Sequence, residues 1–147
     1  MTRYLIDTTP LAGLVTNRAP LVSLIRPWMV AHEAATSILV YGEVLEGLAG
    51  RPNVGQRQRD LLILLGEITP YFITHAIMER YAILRRQLRP PHGPGLIGDF
   101  DTLIAATALE YDLTLVTCDG DFTRVRDLRL QLLDRLTLQP LPGYSPT

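Results

Sequence analysis

Short apolar runs alternate with longer amphipathic stretches along this chain, and the spacing within each gives a first map of its elements. Arg3-Tyr4-Leu5-Ile6 has the character of a buried strand, and Asp7-Thr8-Thr9-Pro10 behind it supplies capping oxygens and a proline, so a helix is expected to begin near Pro10. A second strand is expected over 31–36. It leads into a helix from Ser37 to Leu48, with Ile38, Tyr41, Leu45 and Leu48 at helical spacing and Gly50 ending it. The 56–67 stretch reads as a third helix. Its Leu61-Leu62-Ile63-Leu64-Leu65 core is apolar nearly all round, which predicts burial on two sides, one of them available as a subunit interface.

Thr69 to Thr74 fits a short strand, and Ala76 to Leu88 a helix with Ile77, Tyr81, Leu84 and Leu88 on one stripe and Arg80, Arg85 and Arg86 on the outer face. Pro90-Pro91-His92-Gly93-Pro94-Gly95 holds too many breakers for regular structure and reads as a surface loop. Asp99 is expected to cap a helix running to Tyr111, whose small Ile104-Ala105-Ala106 segment suits close packing on a sheet. Leu113 to Thr117 is the clearest central strand, with Cys118-Asp119-Gly120-Asp121 turning the chain at its end. Arg129 to Leu133 supplies a last edge strand, and Pro140 to Pro146 reads as a poorly structured tail.

Strands that alternate with helices imply right-handed crossovers and a mainly parallel sheet covered on both faces, a three-layer α/β/α sandwich. Ligands in such sheets bind beyond the carboxyl ends of the strands. Asp7 and Asp119 each follow a strand at that edge, which places them at one site on physical grounds alone.

Composition narrows the chemistry. At 147 residues, 47% hydrophobic and 20% charged, the chain has the content of one globular domain, and no apolar run is long enough for a membrane span. Asp7 interrupts the N-terminus before any signal-peptide core develops, so cytoplasmic residence is the expectation. Cys118 is the only cysteine, which excludes an intramolecular disulfide and a thiolate zinc site. All 14 basic residues are arginine; with no lysine, P-loop, Schiff-base and kinase-type phosphate chemistry are excluded. A formal net charge of -1 is unlike that of a strongly basic nucleic-acid binder, so a polyanion would have to meet a local basic patch and a metal.

Asp7, Glu43, Asp101 and Asp119 lie far apart in sequence, each beside an apolar run. Carboxylates that converge repel one another, by roughly 4 kcal/mol per pair at about 4 Å and an effective dielectric near 20, and a divalent cation removes that cost. Each acid also has an ordinary reading. Asp7 can cap a helix, although Thr9 can do so in its place. Glu43 can be a solvated helix-surface charge like Glu46 one turn on. Asp99 and Asp101 both suit a helix N-terminus, and Asp119-Gly120-Asp121 suits a turn. His32, His75 and His92 have no metal-ligand spacing, and the three serines sit in no nucleophile-elbow sequence. Asp99-Phe100-Asp101-Thr102 fails as a dehalogenase-type phosphatase motif because the threonine comes too early and no strand precedes it.

Four segments together resemble the PIN-domain ribonucleases, and in particular VapC-type toxins of bacterial toxin-antitoxin pairs. Tyr4-Leu5-Ile6-Asp7-Thr8 is similar to the family's opening strand with its first acid, and Ile38-Leu39-Val40-Tyr41-Gly42-Glu43 to the helix bearing the second. The third and fourth are Ile97-Gly98-Asp99-Phe100-Asp101-Thr102-Leu103-Ile104-Ala105-Ala106 and Leu113-Thr114-Leu115-Val116-Thr117-Cys118-Asp119-Gly120-Asp121-Phe122.

The resemblance implies a nuclease domain over 1–137 with a tail over 138–147. It selects Glu43, and it selects Asp101 over Asp99. It implies a metal-dependent endoribonuclease in which Asp7, Glu43, Asp101 and Asp119 are catalytic, with Asp7, Asp101 and Asp119 as ligands of Mg2+ or Mn2+ and Asp99 and Asp121 accessory. Cleavage would leave a 5'-phosphate and a 3'-hydroxyl. The partners implied are an RNA substrate, a VapB-type antitoxin whose C-terminal segment fills the site, and a second copy of the chain in a homodimer. Arg80, Arg85 and Arg86 are candidates for contacts to RNA backbone or antitoxin. The competing expectation is a non-catalytic module of the same fold that binds RNA or protein and holds a structural ion.

Overall fold

The computed structural model describes residues 1–144, and the Ser145-Pro146 end of the expected tail lies outside the described residues. Five strands form one sheet in the order β3-β2-β1-β4-β5, with every neighbouring pair parallel. They are β1 (Tyr4–Ile6), β2 (Ala34–Ser37), β3 (Thr69–Tyr71), β4 (Thr114–Thr117) and β5 (Leu130–Leu132). The helices are α1 (Thr8–Val15), α2 (Ala19–Val30), α3 (Ile38–Leu48), α4 (Val54–Leu65), α5 (His75–Leu88) and α6 (Asp99–Glu110), with a 3-10 turn over Gly120–Arg124.

Right-handed crossovers account for the layering. The chain moves outward from β1 to β2 and β3 through α1 to α4, then returns to β4 through α5 and α6, so the two helix sets cover opposite faces. Strand order therefore reverses between β1 and β4, and the crevice beyond their carboxyl ends is the topological switch point where such sheets bind ligands. All three residues of β1 and all four of β4 are buried, as a doubly covered sheet requires.

Several elements differ from their sequence-based outlines. The first helix starts at Thr8, with Pro10 inside its first turn, where the missing N–H has no intrahelical acceptor to lose. Helix α2 falls in a stretch with no expected element. Its buried Leu21 and Ile25 stand one turn apart, and Pro20 suits the first turn, but Pro27 stands inside the helix and interrupts the helical pattern of the sequence. The second strand begins at Ala34 because Ala31 and His32 end α2, His32 in the left-handed region at φ 56.

Helix α4 is not buried on two sides: Leu61 is fully buried, whereas Leu62 and Ile63 are 60% and 69% exposed. Gly98, not Asp99, is the N-cap of α6. Ordered packing also runs into the expected tail. Leu138 is buried, Leu133 bridges Pro140, and the Leu141 amide donates to the Leu132 carbonyl at 2.8 Å.

Candidate metal-binding acidic site

The register of β1 and β4 brings the first and last acids together. Ile6 pairs with Val116, and the Asp7 amide donates to the Val116 carbonyl at 3.0 Å, carrying the ladder one residue past the strand. Asp7 is the N-cap residue of α1, yet its side chain makes no capping hydrogen bond to the helix. Its carboxylate instead accepts from the Thr117 hydroxyl, Oγ1 to Oδ2 at 2.6 Å. The same Thr117 oxygen accepts from the Asp119 amide at 3.0 Å. One buried hydroxyl thus ties the orientation of Asp7 to the backbone that carries Asp119.

Asp119 serves two purposes. Its Oδ1 accepts from the Asp121 amide at 2.9 Å and opens the 3-10 turn, the ordinary role expected of an aspartate before glycine. Its other oxygen has no protein donor among the described residues. Glu43, half-buried on α3, accepts from the Thr8 hydroxyl at 2.8 Å, which fixes a long side chain across the gap between α1 and α3. Asp101 projects from the first turn of α6.

The electrostatics show that these acids feel one another. Burial pushes the Asp7 carboxyl up, against the Thr117 and Thr8 hydrogen bonds that favour its anion, and the Glu43 and Asp119 charges push it further. Asp101 is raised from 3.8 to about 6, first by desolvation and then by Asp7, Asp119, Glu43 and Asp121. Asp101 is therefore the point at which all the other candidate acids except Asp99 are felt.

Ion pairing separates the inner acids from the outer ones. Among the described residues, none of Asp7, Glu43, Asp101 and Asp119 lies within ion-pair distance of an arginine or histidine. Asp99 points away toward α5, where Arg85 pairs with it at 3.1 Å and the Tyr81 hydroxyl donates to it at 3.1 Å. Asp121 pairs with Arg124 at 3.6 Å. The two residues expected to be accessory are thus the two with cationic partners. Among the described residues, no group of three or more His, Cys, Asp or Glu side chains is placed to hold a metal ion as the side chains stand. The donor set is nonetheless all hard oxygen and has no cationic partner, which suits a divalent cation that keeps part of its water shell.

Thr117 and Thr8 carry no local signal by which they could have been singled out. Thr117 reads as a β-branched strand residue, and its link to Asp7 exists only through the β1–β4 register; Thr8 stands beside Asp7, but its partner Glu43 is 35 residues away.

A family model described as PIN domain matches residues 4–128. No curated protein sequence matches the chain. Among solved structures, the chain is similar to VapBC2 from Rickettsia felis bound to a fragment of its promoter DNA, at TM-score 0.79 and 24% identity over 90% of this chain and 100% of that one. It is also similar to DNA-bound VapBC from Salmonella typhimurium, at TM-score 0.76 and 16% identity over 88% and 97%. A toxin-antitoxin complex from Klebsiella pneumoniae gives TM-score 0.66 and 25% identity over 85% and 94%.

Proposed function

Since the chain belongs to the PIN domain family, we propose that it is a metal-dependent endoribonuclease, the toxin of a toxin-antitoxin pair, with Asp7, Glu43, Asp101 and Asp119 as its catalytic acids. The observation that carries this reading is the convergence of four carboxylates without a cationic partner at the switch point of a parallel sheet. Asp99, Asp112 and Asp121 have arginine partners; these four do not.

The residues fit a magnesium or manganese ion by donor chemistry. Asp7, Asp101 and Asp119 would hold it, and Glu43, tied to Thr8, would act through bound water. When bound, such an ion makes a coordinated water easier to deprotonate and neutralises charge on the phosphate. The protein's own part is orientation. Thr117 holds Asp7 in one rotamer and keeps the Asp119 backbone in place, so two acids enter the site already positioned. Burial of Asp7 keeps its carboxylate poorly hydrated and leaves it dependent on a ligand for compensation.

Two partners belong to the same proposal. The solved structures similar in fold from Rickettsia felis and Salmonella typhimurium are VapBC proteins, and that from Klebsiella pneumoniae is a toxin-antitoxin complex; by analogy an antitoxin covers this site. Self-association is supported by Leu62 and Ile63, which face solvent on α4.

The test is purified protein with single-stranded and structured RNAs, with and without magnesium or manganese, beside Asp7→Asn and Asp101→Asn. Metal-dependent cleavage that both variants lose is the expected result. Full metal-dependent activity in both would remove the acids from the mechanism. RNA binding without cleavage under every metal condition would leave only the non-catalytic module.

A further inference from the structure

An RNA cut at the acidic cluster has to continue past it, and on the α1–α3 side the surface offers a groove of about 340 Å3. Thr8 and Glu43 belong to both the acidic site and the groove lining, so the two are continuous. Farther along, the groove passes Gly47 and is rimmed by Arg18, Arg51 and Arg135. These arginines come from three separate segments: the N-cap of α2, the turn after α3 and the loop after β5.

All three are exposed, and among the described residues none forms an ion pair or a side-chain hydrogen bond. Two arginines of α5 differ: Arg80 pairs with Glu110 and Arg85 with Asp99. Like charges drawn around one groove without counter-charges repel, just as the carboxylates do, and an anion relieves them. The one carboxylate in the lining, Glu43, lies at the end shared with the acidic site and is held by Thr8.

The position of Arg135 is built rather than incidental. Asp134 Oδ1 accepts from the amides of Leu136 and Thr137, both at 2.8 Å, and Leu138 is buried in the core, so the loop bearing Arg135 is anchored on both sides. At Gly47 a Cβ would meet nothing within 4 Å, leaving the floor open to a polymer backbone. No aromatic residue lines the groove, so it lacks a surface on which bases stack.

We infer that this groove is a phosphate-tracking subsite in which Arg18, Arg51 and Arg135 bind phosphodiester oxygens of the RNA strand on one side of the scissile bond. The inference rests on the ribonuclease reading of the adjoining acids. Guanidinium groups suit phosphate oxygens through paired N–H donors, and a groove without stacking platforms positions a strand without reading its sequence. The subsite therefore contributes affinity and register, while base preference arises elsewhere.

The experiment is fluorescence anisotropy of the full chain with a labelled single-stranded oligoribonucleotide in EDTA, across a salt series, so that binding is read apart from cleavage. Arg18→Gln/Arg51→Gln/Arg135→Gln is expected to weaken binding by about 30-fold or more and to lower the slope of log K against log salt by about 2, three contacts at roughly 0.7 each for a single strand. Arg3→Gln/Arg129→Gln, at the opposite edge of the sheet, should change affinity by less than about twofold. Gly47→Glu offers a second route: it favours the helix and places a carboxylate on the groove floor, so it should weaken RNA binding while the protein stays folded by circular dichroism.

Unchanged affinity and slope in the triple variant, with wild-type cleavage intact, would overturn the subsite and leave the ribonuclease standing. Arginine-dependent binding by a wild type that cleaves no RNA would do the reverse. If the triple variant kept its RNA affinity but lost binding to polyglutamate, the groove would belong to an acidic protein segment.

Discussion

The two edges of the sheet handle charge in opposite ways. At the amino-terminal edge Arg3 pairs with Glu33 at 3.6 Å, and Arg129 pairs with Asp112 at 2.9 Å while also donating to its carbonyl at 2.6 Å. At the carboxyl edge, Asp7, Glu43, Asp101 and Asp119 gather with threonine hydroxyls and backbone amides for company but no arginine. Paired charges at the first edge hold turns in place and are complete as they stand. The second edge carries repulsion that the protein alone does not relieve, and that imbalance is the physical signature of a binding site.

Equal substitutions at the two edges should therefore have unequal consequences. Asp101→Asn is expected to reduce metal-dependent RNA cleavage by at least about 100-fold, through loss of an acid that holds the ion. Asp112→Asn should leave it within about twofold, since that carboxylate stands among partners far from the site. Single-turnover cleavage under saturating metal measures both, and comparable losses would erase the distinction between the edges.

The next largest effect belongs to the hydroxyl that spans β1 and β4. Thr117→Val keeps the β-branched shape but removes the donor to Asp7 and the acceptor for the Asp119 amide, so cleavage should fall by about 10- to 100-fold and need more metal for half-maximal rate. Thr117→Ser should restore most of it. Thr114→Val, on the same strand at the other edge, is the matched control. A metal requirement that did not move in Thr117→Val would make the hydroxyl a packing feature only.

How much of this was legible in the sequence follows from the range of each interaction. Strand and helix positions depend on local periodicity, so β1, β4 and α3 emerged close to their observed limits, and the alternation gave the parallel α/β sandwich. Helix α2 was hidden by Pro27, which argues locally against a helix even though Leu21, Ile25 and Trp28 recur at helical spacing. The α4 misreading has the same origin: apolar character all round a helix does not say which side a partner covers. Asp7 and Asp119 stood out because each ends an apolar strand at the edge where ligands bind. What sets them apart from Asp99 and Asp121 is the partners Arg85 and Arg124, and of those two pairings only the second is local in sequence. Thr117 and the three-arginine groove were out of reach because both depend on segments brought together only by the finished fold.

Proton and metal compete for the crowded edge. With Asp101 raised to about 6, cleavage at limiting metal should climb as pH rises through that value, and saturating metal should move the rise to lower pH. An inflection that ignored metal concentration would assign the titration to another group.

The smallest effects concern stability, where the sign itself distinguishes the edges. Unfolded, the Asp101 carboxyl titrates near 3.8; folded, it holds its proton to about 6. Below the unfolded value both states are protonated and the favourable contribution is fully present. It is lost as pH rises through the folded value, because the folded state must then carry a charge beside its neighbours. In EDTA at pH 8, Asp101→Asn should therefore stabilise the protein, by about 1 to 2 kcal/mol once solvent screening of a half-buried group is allowed for. Near pH 3.5 the difference should vanish, and added magnesium should reverse it by stabilising the wild type alone. Arg129→Gln removes a pair whose aspartate is 86% exposed, and should destabilise by no more than about 0.5 kcal/mol at any of these conditions. Thermal melts of the two variants across pH, with and without metal, decide the matter: a carboxylate whose removal destabilised the metal-free protein at pH 8 would be a structural charge, like those at the other edge.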